Sequence, residues 1–471
     1  MKKVRGAVVL GVSVWIAAAC GGGSGDSVST TTKSGTEPLV DPAECGLEEF
    51  AAADKPVDIT FWHTMARTNK DWLESVVTEF NAAQGDVHVK LIDIPSYPEA
   101  LTKYRAGLSS GDLPDLVQLE ETAVQVMLDS QSTVPLQACV DAVDFDLSTF
   151  LPRPLAYYSD GDVLASMPWA ISNPVLIYDT AKFEAAGLDP AKPPRTLAEV
   201  REYAQQIVDS GAADHGIALR VEPYVFEFLL AKSGGLYVNN GNGQSERATA
   251  AAFAGDEGTA IWQWWADMVD DGLALNTGGQ PNNFDHMLAV GTGDAAMAFE
   301  ASGVLGIVRS VLESGQYPGV KIATAPLPAL TEGGGVPVGD GALWIPNASD
   351  PAERGAAWTF IEYLSSAEQQ AALAVEGGYA PVREDATTQA ALVEKWEQEP
   401  IFRAGYDQLV SGPSSDATVG SRIGDYQGVR DAVKAGLSAM LEGTDPKTAI
   451  DDAESRATDA IEAYNESLGV G

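Results

Sequence analysis

The sequence predicts an α/β protein in which strands and helices alternate along the chain. Three observations support this fold class. Apolar and polar residues alternate at 57–61 and 87–91, which is the period of a β-strand, and 116–119 is predicted as a further short strand. Between these segments, at 72–80 and 100–108, apolar residues recur at helical spacing. The chain has 471 residues and is 45% hydrophobic, so it can bury a sizeable core.

The first three strands and two helices follow one another in the order β-α-β-α-β. This order predicts a parallel sheet with helices on its faces. The loop residues Gly111, Asp112 and Pro114 precede the third strand and separate it from the helix before it. We expect each sheet of the protein to be mainly parallel.

The middle and the C-terminal part of the chain predict mostly helices. Apolar residues form one face over 197–208 and a stripe over 261–269 that contains Trp262 and Trp265. We expect these aromatic side chains to belong to the core, the alternative being a stacking surface for a sugar. Further helices are predicted at 223–232, 352–364, 429–441 and 446–468.

The N-terminus carries the pattern of a secretory signal. Lys2, Lys3 and Arg5 precede a 13-residue apolar stretch, which is shorter than the roughly 20 residues needed to span a bilayer. Three alanines then precede Cys20, and this resembles a bacterial lipoprotein signal. Residues 1–19 are therefore predicted to be the signal peptide, with Cys20 lipidated and residues 20–54 forming a tether. The alternative is a plain secretory signal cut near Ala19. The lipid would hold the protein at the outer face of the cytoplasmic membrane.

Charge and cysteine content narrow the possible partners. The chain has 29 Lys and Arg residues against 67 Asp and Glu residues, a net charge of −38, which excludes a nucleic acid as a plausible partner. Cleavage of the signal leaves Cys45 and Cys139 in an oxidising compartment. They are expected to form a disulfide, with two unpaired thiols as the alternative.

Common enzyme signatures are absent from the sequence. There is no G-x-S-x-G, Walker A, H-E-x-x-H or G-x-G-x-x-G motif. The four histidines, His63, His88, His215 and His286, are never four residues apart, so a helical zinc pair is excluded. No catalytic residue, metal site or cofactor is predicted, and the pattern favours capture of a ligand over chemistry.

Several short motifs, in this order, resemble the carbohydrate-type family of extracellular solute-binding proteins of ABC importers. The resemblance covers about 55–465. The motifs are Ile59-Thr60-Phe61-Trp62-His63, Phe80-Asn81, Pro114-Asp115-Leu116-Val117, Tyr178-Asp179, Ala186-Gly187-Leu188, Gly293-Asp294-Ala295-Ala296-Met297, the segment 357–364 and Gly378-Tyr379-Ala380-Pro381-Val382.

Within that family the chain is most similar to glycerol-3-phosphate-binding and glycerophosphodiester-binding lipoproteins. The motif Gly420-Ser421-Arg422-Ile423-Gly424, with Arg430 after it, resembles their late arginine loop. The resemblance implies a ligand site made of Tyr97, Glu121, Ser172, Ser302, Gly303, Gly339, Tyr379 and Arg422. Glu120 is the register alternative to Glu121, and Gly339 carries an uncertainty of one residue.

Side-chain chemistry suggests what these residues would do. A guanidinium presents a fixed fork of donors to a phosphate, so Arg422 is the expected phosphate clamp, aided by the hydroxyls of Tyr379 and Ser302. Glu121 can accept two hydrogen bonds from glycerol hydroxyls, and Tyr97 offers an apolar wall with a polar tip. Backbone N–H groups of Gly303 and Gly339 can approach the ligand because glycine lacks a Cβ.

One departure from the subfamily bears on the ligand. Its glycerol-3-phosphate binders carry a tryptophan on a helix of the middle domain, whereas this chain has Tyr224 and Phe226 in that region. This leaves room for a diester such as glycerophosphocholine. A mono- or oligosaccharide binder is the alternative on the same fold, and a lipid-anchored hydrolase is the alternative from another class.

The resemblance also implies the architecture, a two-lobe periplasmic-binding-protein-like fold with an inter-lobe ligand cleft and several chain crossovers. Lobe I is expected at 55–172 and 301–355, and lobe II at 173–300 and 356–471. We expect crossings near Ser172, near Ser302 and at 355–380. The partners implied are a small-molecule ligand and the transmembrane subunits of an ABC permease, with the protein acting as a monomer.

Overall fold

The computed structural model describes residues 39–280 and 284–470. The predicted signal peptide at 1–19, the lipidation site Cys20 and the first part of the predicted tether lie outside these residues. The strands of the described chain are β1 (Val57–His63), β2 (Val87–Asp93), β3 (Leu116–Glu120), β4 (Ser159–Asp160), β5 (Val163–Leu164), β6 (Met167–Ser172), β7 (Pro174–Asp179), β8 (His215–Leu219), β9 (Ala274–Asn276), β10 (Ala295–Ala301), β11 (Ile322–Pro326) and β12 (Gly339–Trp344).

Helices make up most of the remaining described chain. They are α1 (Leu47–Ala52), α2 (Thr68–Ala83), α3 (Tyr97–Ser110), α4 (Val124–Ser130), α5 (Gln137–Val143), α6 (Pro152–Tyr157), α7 (Thr180–Ala185), α8 (Leu197–Ser210), α9 (Pro223–Lys232), α10 (Asn239–Gly243), α11 (Asp256–Asp270), α12 (Asp285–Thr292), α13 (Leu305–Glu313), α14 (Pro351–Leu364), α15 (Ala367–Gly377), α16 (Ala390–Gln398), α17 (Ala404–Ser411), α18 (Tyr426–Leu441) and α19 (Pro446–Leu468). Short 3-10 helices lie at Pro42–Cys45, Glu121–Ala123, Ser302–Val304, Asp385–Thr388 and Pro400–Phe402.

The first sheet has five strands in the order β2-β1-β3-β12-β6. Strands β2, β1 and β3 are parallel, as the β-α-β-α-β order predicts. Strand β12 runs antiparallel to both β3 and β6. Because β6 and β12 arrive from different parts of the chain, the local sequence pattern did not reveal their direction. The expectation of a mainly parallel sheet is therefore wrong for this half of the sheet.

The second sheet also has five strands, in the order β11-β7-β10-β8-β9. Strand β7 is antiparallel to both of its neighbours, whereas β10, β8 and β9 are parallel. The predicted lobe boundaries stay a prediction, but one strand argues against them: β11 pairs in the second sheet although it lies in the segment 301–355 assigned to lobe I.

The chain passes between the two sheets at particular points. The first passage is at Asn173, between β6 and β7, next to the expected position Ser172. The second lies between β11 and β12, later than the expected position near Ser302, because β11 still adds to the second sheet. The third lies between α14, which packs on β1, and α17, which packs on β7 and β11.

Helical structure begins at Pro42, inside the segment 20–54 predicted as a tether. Helix α1 packs on α14, and the 3-10 helix before it packs on α5. A disulfide joins Cys45 to Cys139 across a sequence separation of 94 residues. The pairing and this packing fix the chain from residue 42 onward to the first sheet's helices.

The aromatic core is extensive. Trp262 and Trp265 are 0% and 1% exposed, so the expectation that they belong to the core is confirmed. Apart from half-buried Trp72, every tryptophan in the described ranges is at most 8% exposed. None of the described helices is both long enough and apolar enough to cross a bilayer.

Candidate functional site

The carboxyl end of β3 and the start of β12 bring polar side chains together at one edge of the first sheet. Strand pairing sets Gly341 opposite Glu120 and Gly339 opposite Ser172. The 3-10 helix that follows β3 begins with Glu121, whose side chain is 5% exposed. Three of the predicted site residues, Glu121, Ser172 and Gly339, therefore lie side by side.

A buried arginine of α18 meets this edge. Arg430, on α18, places Nη2 2.7 Å from Glu121 Oε1. The same guanidinium makes a two-pronged contact with Glu227 of α9, with Nε 2.8 Å from Oε1 and Nη2 2.9 Å from Oε2. Glu120 Oε2 is 3.8 Å from Nη1. Arg430 therefore bridges Glu121, which directly follows β3 of the first sheet, and Glu227 of α9.

Burial and neighbouring charges shift the pKa values of the ionisable groups in this cluster away from their ordinary values. Burial raises the pKa of Glu121 above its ordinary value, although Arg430 opposes the shift. Burial also raises the pKa of Glu120. Desolvation would lower the pKa of Arg430, but the charge of Glu227 and its hydrogen bonds hold it well above the ordinary range. The guanidinium is therefore a fixed positive charge among carboxylates that are costly to ionise.

Asp340 completes the acidic edge. Its backbone N–H donates to Glu121 Oε2 at 2.7 Å, and the Ser172 hydroxyl donates to its carboxylate. Its backbone has a φ of 65°, in the left-handed region that an aspartate tolerates better than most residues. Burial, followed by the charge of Glu121, raises the pKa of Asp340 to about 7.

Tyrosines surround these charges. Tyr157 donates its hydroxyl to the carbonyl oxygens of Glu121, at 3.0 Å, and Ser421, at 2.7 Å. Tyr97 accepts a hydrogen bond from Gln118 Nε2 at 2.9 Å. The Tyr224 hydroxyl is buried with no hydrogen-bond partner of normal geometry in the described part of the chain. Burial raises the pKa of each of these phenols, so all three are neutral donors at physiological pH.

Arg422 lies next to this cluster but its donors have other partners than the expected phosphate. Nη2 donates to the backbone carbonyl oxygens of Ala156, at 3.3 Å, Tyr157, at 3.1 Å, and Ser159. Nη1 is 3.9 Å from the exposed carboxylate of Asp160. Nε is buried and makes no hydrogen bond to any described residue. The side chain is 8% exposed, so it does not point into bulk solvent.

The remaining predicted residues lie where the chain passes between the sheets. The ring of Tyr379 packs against Gly303, where a Cβ would come within 2.7 Å of the ring. A Cβ on Gly339 would come within 2.5 Å of the Tyr224 hydroxyl, so glycine permits α9 to approach β12. The Ser302 hydroxyl is buried against Gly405, and the Ser302 N–H donates to Asn173 O at 3.0 Å.

The site is closed over a small space. The cavity beside Glu121, lined also by Tyr157, Glu227 and Ser421, has a volume of about 20 Å³. That volume holds little more than one water. Entry of a ligand with more than a few heavy atoms therefore requires the lobes to separate or the Arg430 contacts to rearrange.

Sequence reasoning missed part of this cluster. It noted Arg430 only as a residue after the arginine loop, and it did not select Glu227 or Asp340. Glu227 lies in an otherwise apolar stretch of α9, and a lone acid there is a signal for a buried ion pair. Nothing in the sequence identified Arg430 as its partner, because 203 residues separate the two.

The arrangement offers many hydrogen-bond donors and acceptors to a polar ligand. Four carboxylates, two arginines and several phenols face one junction between the lobes. No group of His, Cys, Asp or Glu side chains within residues 39–280 and 284–470 has the arrangement needed to hold a metal ion. The acids outnumber the arginines, which favours neutral polyols or ligands that carry a positive group.

Comparison with known proteins agrees with this description. A family model described as "Bacterial extracellular solute-binding protein" matches residues 75–404. The sn-glycerol-3-phosphate-binding periplasmic protein UgpB of Rhizobium meliloti (strain 1021) is 29% identical over 422 residues, covering 87% of this chain and 95% of that protein. The protein of the same name from Escherichia coli O1:K1 / APEC is 25% identical over 432 residues, covering 90% and 96%.

Solved structures show the same two-lobe fold. UgpB from Mycobacterium tuberculosis in complex with glycerophosphocholine superposes with a TM-score of 0.72 at 21% identity, covering 86% of this chain and 99% of that one. The GacH receptor of Streptomyces glaucescens GLA.O, solved unliganded and with acarbose, gives 0.71 at 21% identity, covering 88% and 98%. Because these identities are low, the likeness extends to the fold alone.

Proposed function

The chain belongs to the bacterial extracellular solute-binding protein family, and we propose that it captures a glycerol-3-phosphate-type ligand for an ABC importer. The favoured ligand is a glycerophosphodiester such as glycerophosphocholine. The ligand binds in the cleft between the lobes, the lobes close over it, and the loaded protein delivers it to the transmembrane subunits of a permease. No bond in the ligand is broken.

One observation carries this proposal. The Tyr157 hydroxyl joins the backbone of Glu121 to that of Ser421, so the loop that holds Arg422 lies directly beside the carboxylate expected to bind glycerol hydroxyls. A glycerophosphodiester presents those two groups, a diol and a phosphate, a few bonds apart. The unpartnered Nε of Arg422 provides a buried donor for phosphate oxygens once the lobes open.

The choice of a diester with a cationic headgroup rests on charge. Glu120, Glu121, Glu227 and Asp340 surround Arg430, so the cleft carries more acidic than basic groups. A ligand with only a negative phosphate is repelled by this surplus, whereas a zwitterion offsets it with its ammonium group. The rings of Tyr224 and Tyr426, whose centroids lie 5.7 Å and 5.0 Å from the Arg430 guanidinium carbon, already accommodate a cation.

A further part of the proposal concerns the cellular location of the protein. We propose that Cys20 is lipidated after removal of residues 1–19 and that the protein acts as a monomer at the outer face of the membrane. The family places the folded body outside the cytoplasm, and the disulfide between Cys45 and Cys139 is consistent with an oxidising compartment.

A sugar ligand is the alternative, and one observation favours it. Buried carboxylates beside tyrosines suit hydroxyl-rich neutral ligands as well. Against it, the tryptophans in the described ranges are buried apart from Trp72, which is half-buried and already stacks on Trp169.

Calorimetric titration with glycerophosphocholine, glycerol-3-phosphate and maltose tests the proposal. We expect binding of a phosphate ester and no binding of maltose. Arg422→Ala should weaken binding by about 10- to 150-fold, because a charge-assisted hydrogen bond contributes roughly 1.5–3 kcal/mol. The variant Arg105→Ala removes the same charge from an exposed position on α3 and should bind like the wild type. Binding of maltose alone would end the phosphate assignment.

A further inference from the structure

A cavity beside the segment that follows β11 lies outside the predicted ligand site. It has a volume of about 670 Å³ and contains none of the eight residues predicted for the ligand site. Its walls come from the loop before α8, from α8 itself, from the segment 325–334 and from α17, and the last residue of α9 closes one side. A Cβ on Gly334 would overlap the Lys232 carbonyl oxygen, so glycine allows the loop to close on the end of α9.

Lys232 gives this cavity an unusual charge. The side chain is 9% exposed, and its ammonium has one hydrogen-bond partner in the described chain, the neutral amide oxygen Gln408 Oε1 at 3.1 Å. Lys395 is equally buried at 8%, but it pairs with Glu399. Burial lowers the pKa of Lys232 to about 8, so most of the molecules still carry the charge at neutral pH.

The other charges of the cavity wall have partners. Arg195 Nη1 lies 3.0 Å from Glu332 Oε2, and Lys192 Nζ lies 3.2 Å from Asp189 Oδ2. Glu199 accepts hydrogen bonds from the backbone N–H groups of Arg195 and Thr196. Of the three cations in the cavity wall, Lys192, Arg195 and Lys232, only Lys232 lacks an acidic partner in the described chain.

We propose that this cavity is a second ligand site for a small monocarboxylate with an apolar body, whose carboxylate pairs with Lys232 Nζ. One ammonium without an acidic partner suits a monoanion better than a phosphate dianion. Apolar walls from Pro193, Pro194, Pro326 and Leu327 suit the body of such a ligand. Pairing supplies the counter-charge that a buried ammonium otherwise lacks.

This site is independent of the cleft. Lys232 is eight residues beyond Tyr224 on α9, which is about 12 Å along the helix. The proposed function does not require the second site, and the second site does not require a phosphate ligand. Failure of one proposal therefore leaves the other intact.

Titration of the full chain with benzoate, with its neutral isostere benzamide as a second ligand, tests the proposal. We expect benzoate to bind and benzamide not to bind. Lys232→Met keeps the length of the side chain and should weaken benzoate binding at least tenfold. Lys447→Gln removes a surface lysine paired with Asp451 and should leave binding unchanged. The proposal is overturned if benzoate does not bind the wild type, or binds Lys232→Met equally well.

A second test uses only the wild-type protein, so its result does not depend on whether Lys232→Met folds. Acetylation by a limiting reagent, followed by peptide mass spectrometry, reports the reactivity of each lysine. Benzoate should slow acetylation of Lys232 by severalfold and leave Lys447 unaffected. Equal rates at Lys232 with and without benzoate contradict the proposal.

Discussion

The two arginines near the C-terminal end have different surroundings. Arg430 is neutralised by carboxylates of both lobes, while Arg422 donates to backbone carbonyl oxygens and keeps a buried Nε without a partner among the described residues. A buried ion pair is costly to break because the remaining charge has no solvent. Arg430 is therefore suited to holding the cleft together, and Arg422 to receiving a ligand.

At the scale of single residues, Asp340 makes stability depend on pH. Its pKa is raised from 3.8 to about 7, chiefly by burial, so the folded state holds a proton that the unfolded state releases. Stability contributed by this group is present below about pH 4 and is lost as pH rises toward about 7, with a slope of up to about 1.4 kcal/mol per pH unit.

Urea unfolding at pH 5 and pH 7.5 measures this effect. Asp340→Asn cannot titrate, so the free energy of unfolding of the variant should fall less between the two pH values than that of the wild type. Asp112→Asn, an exposed position, should behave like the wild type. Parallel pH dependences for Asp340→Asn and the wild type would show that Asp340 is not protonated in the folded protein.

At the scale of elements, the disulfide fastens the N-terminal segment. Cys45 ends the first 3-10 helix and Cys139 lies on α5. For a closed loop of this length, with a sequence separation of 94 residues, the chain-entropy model assigns roughly 4–5 kcal/mol to the cross-link.

Replacing both cysteines by serine should lower the free energy of unfolding by about 2–5 kcal/mol. Chemical denaturation of the double variant, with the wild type under non-reducing conditions as the reference, checks this value. Titration with glycerophosphocholine should give an unchanged affinity, because neither cysteine lines the cleft. An unchanged denaturation midpoint would mean that the cross-link does not constrain the unfolded chain.

At the scale of the whole molecule, the Arg430 bridge holds the lobes together. Glu121 lies in the segment predicted as lobe I and Glu227 in the segment predicted as lobe II, and both bind one guanidinium. A ligand closes the cleft only if it binds the closed state better than the open one. The ion pairs of Arg430 stabilise the closed state even without a ligand. The small cavity beside Glu121 is consistent with a closed cleft.

Arg430→Met should open the lobes. The two glutamates would then repel each other, and leaving buried charges unpaired costs about 3–5 kcal/mol. Small-angle scattering without ligand should give a larger radius of gyration for this variant than for the wild type. Arg105→Met, at an exposed position on α3, serves as the control. If Arg430→Met remains folded and its radius of gyration is unchanged, the ion pairs of Arg430 do not hold the lobes closed.

The sequence by itself determined the α/β class and the first parallel strands, because the periods of strands and helices are local properties. It also predicted the cysteine pair, and the resemblance to a known family implied Glu121, Ser172 and Gly339, which the structure places side by side and whose binding role stays a prediction. Only the tertiary structure decided the direction of β12, the membership of β11 and the pairing of Arg430 with Glu121 and Glu227. These features join segments up to 309 residues apart, and local patterns carry no information about which distant partners meet.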